Sequence, residues 1–418
     1  MRIAQLANFY SDTSGGLRVA VNNLGAGYRA AGHEVTLIVP GSRTRTGDGR
    51  AEIASPMLPN GSGYRVIVSG RAVRRVLDAI DPQVIEVHDK LLLRWVNPWA
   101  RRHGIPVIAI SHERLDITLA HFAPWAPRRL RLVVTRSIAR RTVARSDLIV
   151  VCSRFGGEEF ARSGAAVRLV PLGVDLETFR PSDIAEPNAK TQLVSVTRLS
   201  TEKLPSLAID ALAELRRRGV DAELTMIGTG PLHARLRRYA QDQPVRFTGF
   251  VSAPEVSAIL GQADLALVPG PAETFGLAAL EALACGTAIV GVLGSGASEL
   301  ITGEPDAGLP AKPDPREFAE ATQMLLSVDR QTRRRAARAV AERYRWDNAV
   351  RAMLAIHVEL TRRSSSTRTV RRVDGQDKIN DDWQRLRQEE REERDARIRE
   401  ELERVDRISR TLSDERDS

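Results

Sequence analysis

Leu265-Ala266-Leu267-Val268-Pro269-Gly270-Pro271-Ala272-Glu273-Thr274-Phe275-Gly276-Leu277-Ala278-Ala279-Leu280-Glu281, followed by Ala288-Ile289-Val290-Gly291-Val292, is the stretch that decides the fold. The apolar run Leu265–Val268 does not alternate, so it reads as a strand covered on both faces. A Pro/Gly loop follows, then a small-residue helix around Leu277–Ala284 and a second apolar strand, Ala288–Val292. This strand-helix-strand unit is the building block of a parallel sheet with helices on its faces.

The same unit recurs upstream. Strand Leu193–Thr197, helix Pro205–Arg217, strand Ala222–Ile227, helix Leu232–Ala240 and strand Val245–Phe247 precede it. An earlier series reads as strand Arg2–Asn8, helix Leu17–Ala31 and strands Glu34–Val39, Val84–Val87, Val107–Ile110 and Leu148–Val151. Pro171-Leu172-Gly173-Val174-Asp175, continuing through Pro181 to Pro187, breaks the pattern as a linker would. The expected architecture is α/β, with two doubly wound parallel-sheet domains, 1–170 and 191–345, joined by 171–190 and facing a cleft. A helix over 346–362, opened by Trp346, is expected to close the second domain. In the tail, 363–418, Ser364-Ser365-Ser366-Thr367 reads as a flexible join. Asp377–Arg416 is dense in charge, and Ile398, Leu402, Val405 and Leu412 form a short heptad-like stripe, so a charged helix that self-associates is expected.

The chain has 418 residues, of which 42% are hydrophobic and 28% charged, and is too long for one compact core. Cys152 and Cys285 fit neither a disulfide framework nor a metal or redox motif, and read as buried small side chains. No signal-peptide shape or membrane span is visible, and a cytoplasmic enzyme is expected. The net charge of +9 is uneven: residues 1–170 carry 25 Lys+Arg against 13 Asp+Glu, and residues 171–418 carry 37 against 40. A basic first half implies an anionic partner. Without zinc-ligand spacing or an RNA-binding signature, an acidic membrane surface or lipid is favoured over nucleic acid. A solvated arginine-rich surface is the plainer alternative.

Four groups of residues could carry chemistry. Gly15 and Gly16, in Ser14-Gly15-Gly16-Leu17-Arg18, join the first strand to the first helix, where backbone can approach a ligand and free N–H groups can meet a phosphate. No Gly-x-Gly-x-x-Gly is present, and an ordinary strand-to-helix turn would look the same. Arg198 and Lys203, just past a strand's carboxyl end, suit a diphosphate. Glu273 sits in the loop after strand Leu265–Val268, with Thr274 as a helix cap and Gly276 opening the helix N-terminus. Eight helical residues from Glu273 to Glu281 would span about 12 Å at ~1.5 Å each. That exceeds the separation of a glycosidase carboxylate pair, so the two would grip the ends of one long ligand, a sugar at one and a ribose at the other. His112, in Ser111-His112-Glu113-Arg114, follows a first-domain strand and can face the cleft, although a lone His is more often structural. His33 starts a strand away from that edge and reads as structural. Neither a Ser-His-Asp arrangement nor an Asp-x-Asp metal motif appears in either domain, and no metal is expected.

In combination, Glu273-x7-Glu281 with Phe275-Gly276-Leu277, Arg198 with Lys203, Pro171-Leu172-Gly173-Val174-Asp175 with Phe179, and Gly15-Gly16 resemble the family-four retaining glycosyltransferases of the GT-B fold, over about residues 1–362. Gln5-Leu6-Ala7-Asn8-Phe9-Tyr10, Ser111-His112-Glu113-Arg114-Leu115-Asp116 and the Glu273–Glu281 stretch are further similar to actinobacterial mannosyltransferases acting on phosphatidylinositol mannosides. The resemblance implies a GDP-mannose donor, an α-mannosyl product and a glycolipid acceptor at the inner membrane face. It implies that Gly16 allows close approach to the donor, that His112 lies beside the transferred sugar, and that Arg198 and Lys203 hold the diphosphate. Glu273 would bind sugar hydroxyls, backbone N–H groups over Phe275, Gly276 and Leu277 would support it, and Glu281 would bind the ribose. The charged tail is outside the family pattern. Competing readings are the same fold with a UDP-glucose-type donor and another acceptor, a sugar-nucleotide epimerase, or a silent binding protein. Base selection is expected around Gly249-Phe250-Val251-Ser252.

Overall fold

The computed structural model describes residues 1–10, 15–58, 64–122, 125–161, 165–182 and 190–367, the side chains of 120–122 and 365–367 excepted. The tail beyond Thr367, with the Ile398–Leu412 stripe, lies outside the described residues, as does part of the expected linker, 183–189.

Among the described residues, the first sheet has eight strands. They are β1 (Arg2–Leu6), β2 (Glu34–Gly41), β3 (Arg45–Gly47), β4 (Arg50–Ala54), β5 (Val84–Val87), β6 (Val107–Ser111), β7 (Leu148–Val151) and β8 (Val167–Leu169), in the order β3-β4-β2-β1-β5-β6-β7-β8. Every pairing is parallel except the β3–β4 ribbon at one edge. The second sheet holds β9 (Thr191–Val196), β10 (Ala222–Ile227), β11 (Val245–Gly249), β12 (Leu265–Val268), β13 (Ala288–Val292) and β14 (Gly308–Ala311), in the order β11-β10-β9-β12-β13-β14, all parallel. The two doubly wound sheets are as expected. The short strands β3, β4, β8 and β14 are additional.

Helices cover both sheets. In the first domain they are α1 (Gly16–Ala30), α2 (Gly70–Ile80), α3 (Leu93–His103), α4 (Leu115–Phe122), α5 (Arg128–Ala144) and the single turn α6 (Arg154–Gly157). In the second they are α7 (Pro205–Arg217), α8 (His233–Tyr239), α9 (Ala253–Gln262), α10 (Leu277–Ala284), the short α11 (Gly296–Leu300), α12 (Pro315–Ser327) and α13 (Arg330–Glu342), and α14 (Trp346–Thr367) follows. Local chemistry fixes several starts: Ser252 and Glu255 form a capping box on α9, and the Asp314 carboxylate accepts from the first N–H groups of α12.

Helix α14 corrects one expectation. It does not close the second domain. Val350, Met353, Ile356 and Leu360 pack instead with Ile3, Leu24, Tyr28, Val84, Ile108 and Val150 of the first domain. Each such side chain contributes about 1.5–3 kcal/mol when fully buried. Gly27 on α1 leaves the room, because a Cβ there would lie 2.3 Å from Val350 Cγ2. The helix also runs on to Thr367, through the Ser364–Thr367 stretch expected to be a flexible join.

Candidate active site

Each sheet has a topological switch, β1/β5 in the first and β9/β12 in the second, where neighbouring strands send their connections in opposite directions. The carboxyl ends of strands at such a point leave a crevice for a ligand. His88 and His112 belong to the β5 and β6 ends, and Arg198 and Glu273 to the loops after β9 and β12.

In the second domain, Lys203 ends a 3-10 turn, Thr201–Lys203. Leu204, at φ +44°, then turns the chain into α7, a left-handed backbone that a non-glycine residue adopts only under strain. Lys203 Nζ donates to Glu273 Oε1 at 2.7 Å, and the two side chains are 23% and 21% exposed. Arg198 is held elsewhere: its Nη1 donates to the Tyr64 hydroxyl at 3.3 Å, with the guanidinium 5.2 Å from the ring centroid. Tyr64 in turn meets Phe9 edge-on.

The two edges meet at Thr274. Its hydroxyl donates to the His112 carbonyl at 2.5 Å, and its carbonyl accepts from the Ser153 hydroxyl. Thr274 therefore ties the domains together and does not cap α10, as had been expected; the cap position is Gly276, at φ +88°, with no side-chain bond. A Cβ at Gly276 would lie 2.9 Å from the Ala297 Cβ, and one at Gly296 would lie 2.2 Å from the Thr274 carbonyl oxygen. The α11 N-terminus thus presses on the Glu273–Gly276 loop, and Gly296 N–H donates to the Glu273 carbonyl at 2.7 Å. Glu299 adds a clasp by accepting from the Arg154 and Phe155 N–H groups at 3.0 and 2.5 Å. On the first-domain side, a Cβ at Gly16 would reach Leu277 Cδ1 at 3.5 Å, whereas Gly15 faces open space.

Behind His112 runs a buried polar chain. His112 Nε2 is 2.9 Å from His88 Nδ1, with the rings stacked at 12°. His88 Nε2 is 3.4 Å from Glu86 Oε2. Glu86, wholly buried in β5, also accepts from Gln5 Nε2, the Tyr28 hydroxyl and His357 Nε2, each at 2.8 Å. Burial and the neighbouring His88 push the His112 pKa down to about 3, so its ring is neutral at physiological pH.

The structure brings together Gly16, His112, Lys203, Glu273, Phe275, Gly276 and Leu277. Arg198 borders them from its seat on Tyr64. Glu281 lies on α10 but not eight helical residues from Glu273: the helix begins at Leu277, so the expected 12 Å helical span does not apply. Burial lifts the Glu281 carboxyl to about 8. His33 binds the terminal amino group of Met1 at 3.0 Å, away from the site. Both cysteines are free and buried. Sequence reasoning missed Glu86, His88, Tyr64 and the Thr274 bridge. A charged residue inside the apolar strand Val84-Ile85-Glu86-Val87 is itself a signal, since a carboxylate buried in a parallel sheet needs partners.

Known proteins place this geometry. The profile described as Glycosyltransferase Family 4 matches residues 14–178, and that described as Glycosyl transferases group 1 matches residues 190–328. A GDP-mannose-dependent alpha-(1-6)-phosphatidylinositol dimannoside mannosyltransferase of Mycobacterium tuberculosis is 46% identical over 371 residues, 85% of this chain and 95% of the relative. The corresponding monomannoside mannosyltransferase of Mycolicibacterium smegmatis is 30% identical over 57% of this chain and 69% of its own. In fold, the chain is similar to sucrose-phosphate synthase from Thermosynechococcus elongatus, with a TM-score of 0.70 at 20% identity, covering 86% of this chain and 98% of that one. With both profiles spanning the two domains and a near full-length relative at this identity, the chain belongs to the family-four, group-1 glycosyltransferases of the GT-B fold.

Proposed function

We propose that this enzyme transfers mannose from GDP-mannose to a phosphatidylinositol mannoside, the dimannoside form, building an α-(1→6) linkage with retention at the anomeric carbon. The observation that carries the reading is the Lys203–Glu273 pair, one residue from the Thr274–His112 bridge between the domains. It puts a cation for the diphosphate beside a carboxylate for sugar hydroxyls, where both domains meet. The nature of the donor and acceptor is supported by the mycobacterial relative.

In this mechanism Arg198 leaves Tyr64 and joins Lys203 on the diphosphate. Their charge stabilises the leaving group as the glycosidic bond lengthens. The acceptor hydroxyl attacks from the same face, and the departing diphosphate oxygen takes its proton. Glu273 and the backbone N–H groups over Phe275, Gly276 and Leu277 hold the sugar, Gly16 leaves room for it, and Glu281 accepts from the ribose. The two cations supply the charge that a metal would otherwise bring, so no metal cofactor is required.

The acceptor is met at a cytoplasmic, anionic membrane surface. No helix among the described residues is long and apolar enough to cross a bilayer. On α5 the side chains of Leu130, Val133 and Val134 are exposed together with Arg128, Arg129, Arg136, Arg140 and Arg141, and Trp125 just before it is 83% exposed. Basic and apolar groups on one face suit an acidic lipid interface.

A donor panel tests the reading. GDP-mannose is expected to raise the melting temperature and to release GDP when the dimannoside is supplied, with the rate unchanged by EDTA. Stabilisation and turnover with UDP-glucose but not GDP-mannose would overturn it.

A further inference from the structure

We propose that His88 and Glu86 are positioning residues that fix the tautomer of His112, holding its proton on Nε2 and leaving Nδ1 as a bare acceptor for a hydroxyl of the transferred sugar. The assignment of that hydroxyl to a sugar rests on the donor reading above; the tautomer itself does not.

The argument starts at Glu86. Three donors, from Gln5, Tyr28 and His357, converge on its two oxygens at 2.8 Å, which suits a carboxylate and not a neutral acid. Burial acts to raise its pKa, but the hydrogen bond from His357 leads the effects that outweigh it, and the carboxyl is held well below the usual range. His88 Nε2 is 3.4 Å from this anion, too poorly aligned for a formed hydrogen bond. The contact is nonetheless decisive electrostatically. A lone pair on Nε2 would face a wholly buried carboxylate, whereas an N–H there faces it favourably. Taken as neutral, with its single proton on Nε2, His88 offers a lone pair at Nδ1. The neighbour 2.9 Å from that lone pair is His112 Nε2, which must then carry the hydrogen.

His112 is thereby left with Nδ1 unprotonated. Among the described residues Nδ1 has no protein partner, and His112 is the only member of the chain from Glu86 that is not fully buried. Its own carbonyl is tied to Thr274, next to Glu273, so the ring sits where the second domain's sugar-binding loop arrives. A hydroxyl donating to Nδ1 would find its acceptor already aligned, with no proton to move first. The opposite tautomer would present an N–H and leave the same hydroxyl to accept. Fixing one ring nitrogen through the bond made by the other is a common device at sites that need one imidazole face.

The test reads the ring nitrogens directly. The full chain is labelled with 15N at histidine, and ring nitrogens and carbon-bound protons are correlated at neutral pH in wild type, His88→Leu and His88→Asn. Wild-type His112 is expected to be protonated at Nε2 alone. His88→Leu, which removes the acceptor, should let the Nδ1–H form appear and lower sugar transfer roughly ten- to a hundredfold, while the Kd for GDP stays within about twofold. His88→Asn keeps an acceptor oxygen near the Nδ1 position and should restore much of the transfer. Glu86→Gln would turn an amide N–H onto converging donors, so His88 carries the test. A wild-type His112 protonated at Nδ1, or a folded His88→Leu enzyme with transfer intact, overturns the proposal. If His88→Leu does not fold, the wild-type and His88→Asn shifts still decide it. If GDP-mannose proves not to be the donor while the shifts are as expected, the tautomer stands and the donor reading falls.

Discussion

Replacing Lys203 with Met keeps most of the side-chain stem and removes its charge. In the resting enzyme the ammonium lies 2.7 Å from Glu273. The gross attraction at that distance is about 6 kcal/mol at an effective dielectric of about 20. Desolvation and lost side-chain freedom offset most of it, and a pair this accessible is worth about 1 kcal/mol net. Lys203→Met should therefore remain folded, with a melting temperature lowered by no more than about 2–4 °C. The loss in catalysis is of another size. One preorganised charge donor aimed at a developing anion is worth about 2.7–4 kcal/mol, roughly a hundred- to a thousandfold in kcat. Adding Glu273→Gln separates the two roles, because it relieves the unpaired carboxylate and should recover the lost stability while leaving turnover low. GDP release and thermal melting on the single and double variants give both quantities. A rate within about threefold of wild type in Lys203→Met, or a rate restored by Glu273→Gln, would show that Lys203 serves only as a counter-ion to Glu273.

Four further outcomes are expected. The Glu281 carboxyl, lifted to about 8 by burial, binds its proton more tightly folded than unfolded, so stability should fall as pH rises from the ordinary carboxylate range toward 8; Glu281→Gln should flatten that slope in melting curves, and an unchanged slope would assign it to other groups. Gly276→Ala adds strain at φ +88° and a Cβ 2.9 Å from the Ala297 Cβ, and should lower stability by about 1–3 kcal/mol in denaturant titrations. Sedimentation with anionic liposomes should weaken as salt rises, and Arg129→Ser/Arg136→Ser/Arg140→Ser should bind less at low salt with a shallower salt dependence; equal binding to neutral liposomes would remove the electrostatic account. A chain ending at Thr367 should fold and turn over a detergent-dispersed acceptor, whereas one ending at Arg345 loses α14 from the first-domain core and should be insoluble, as expression and light scattering would show.

The central strands were legible because Val, Ile and Leu run together there without alternation, as in Ile108–Ile110 and Leu265–Val268. The short strands β3, β4, β8 and β14 were not, because strands at or near a sheet margin need less apolar surface: all of Arg45–Gly47 is exposed, and Arg50–Ala54 holds a buried Glu52 paired to Arg45 and Arg50. The site residues could be picked out by their places at strand ends, but their pairing could not. Lys203 and Glu273 are 70 positions apart, and only the register of β9 beside β12 brings them into contact. The apolar stripe of α14 shows that it must be buried but does not say against which sheet. That choice depends on its fit at Gly27 and on the single buried acceptor that His357 finds in Glu86.

The return of α14 has a consequence for how the protein is made. A chain is synthesised from its first residue, and domains ordinarily fold in that order. Here the first sheet lies ready early, yet the residues that finish its core, 349–360, are translated after the whole second domain. The second domain is thus the first able to complete its core, and until then α1 and the β1, β5 and β6 strands keep an apolar face that α14 will later cover. Exchange between relatives is constrained in the same way. A graft of the first domain needs two crossovers, one in the linker and one near Arg345, because a single cut at the linker would match a foreign sheet with a resident helix and leave Glu86 facing a partner selected for another protein.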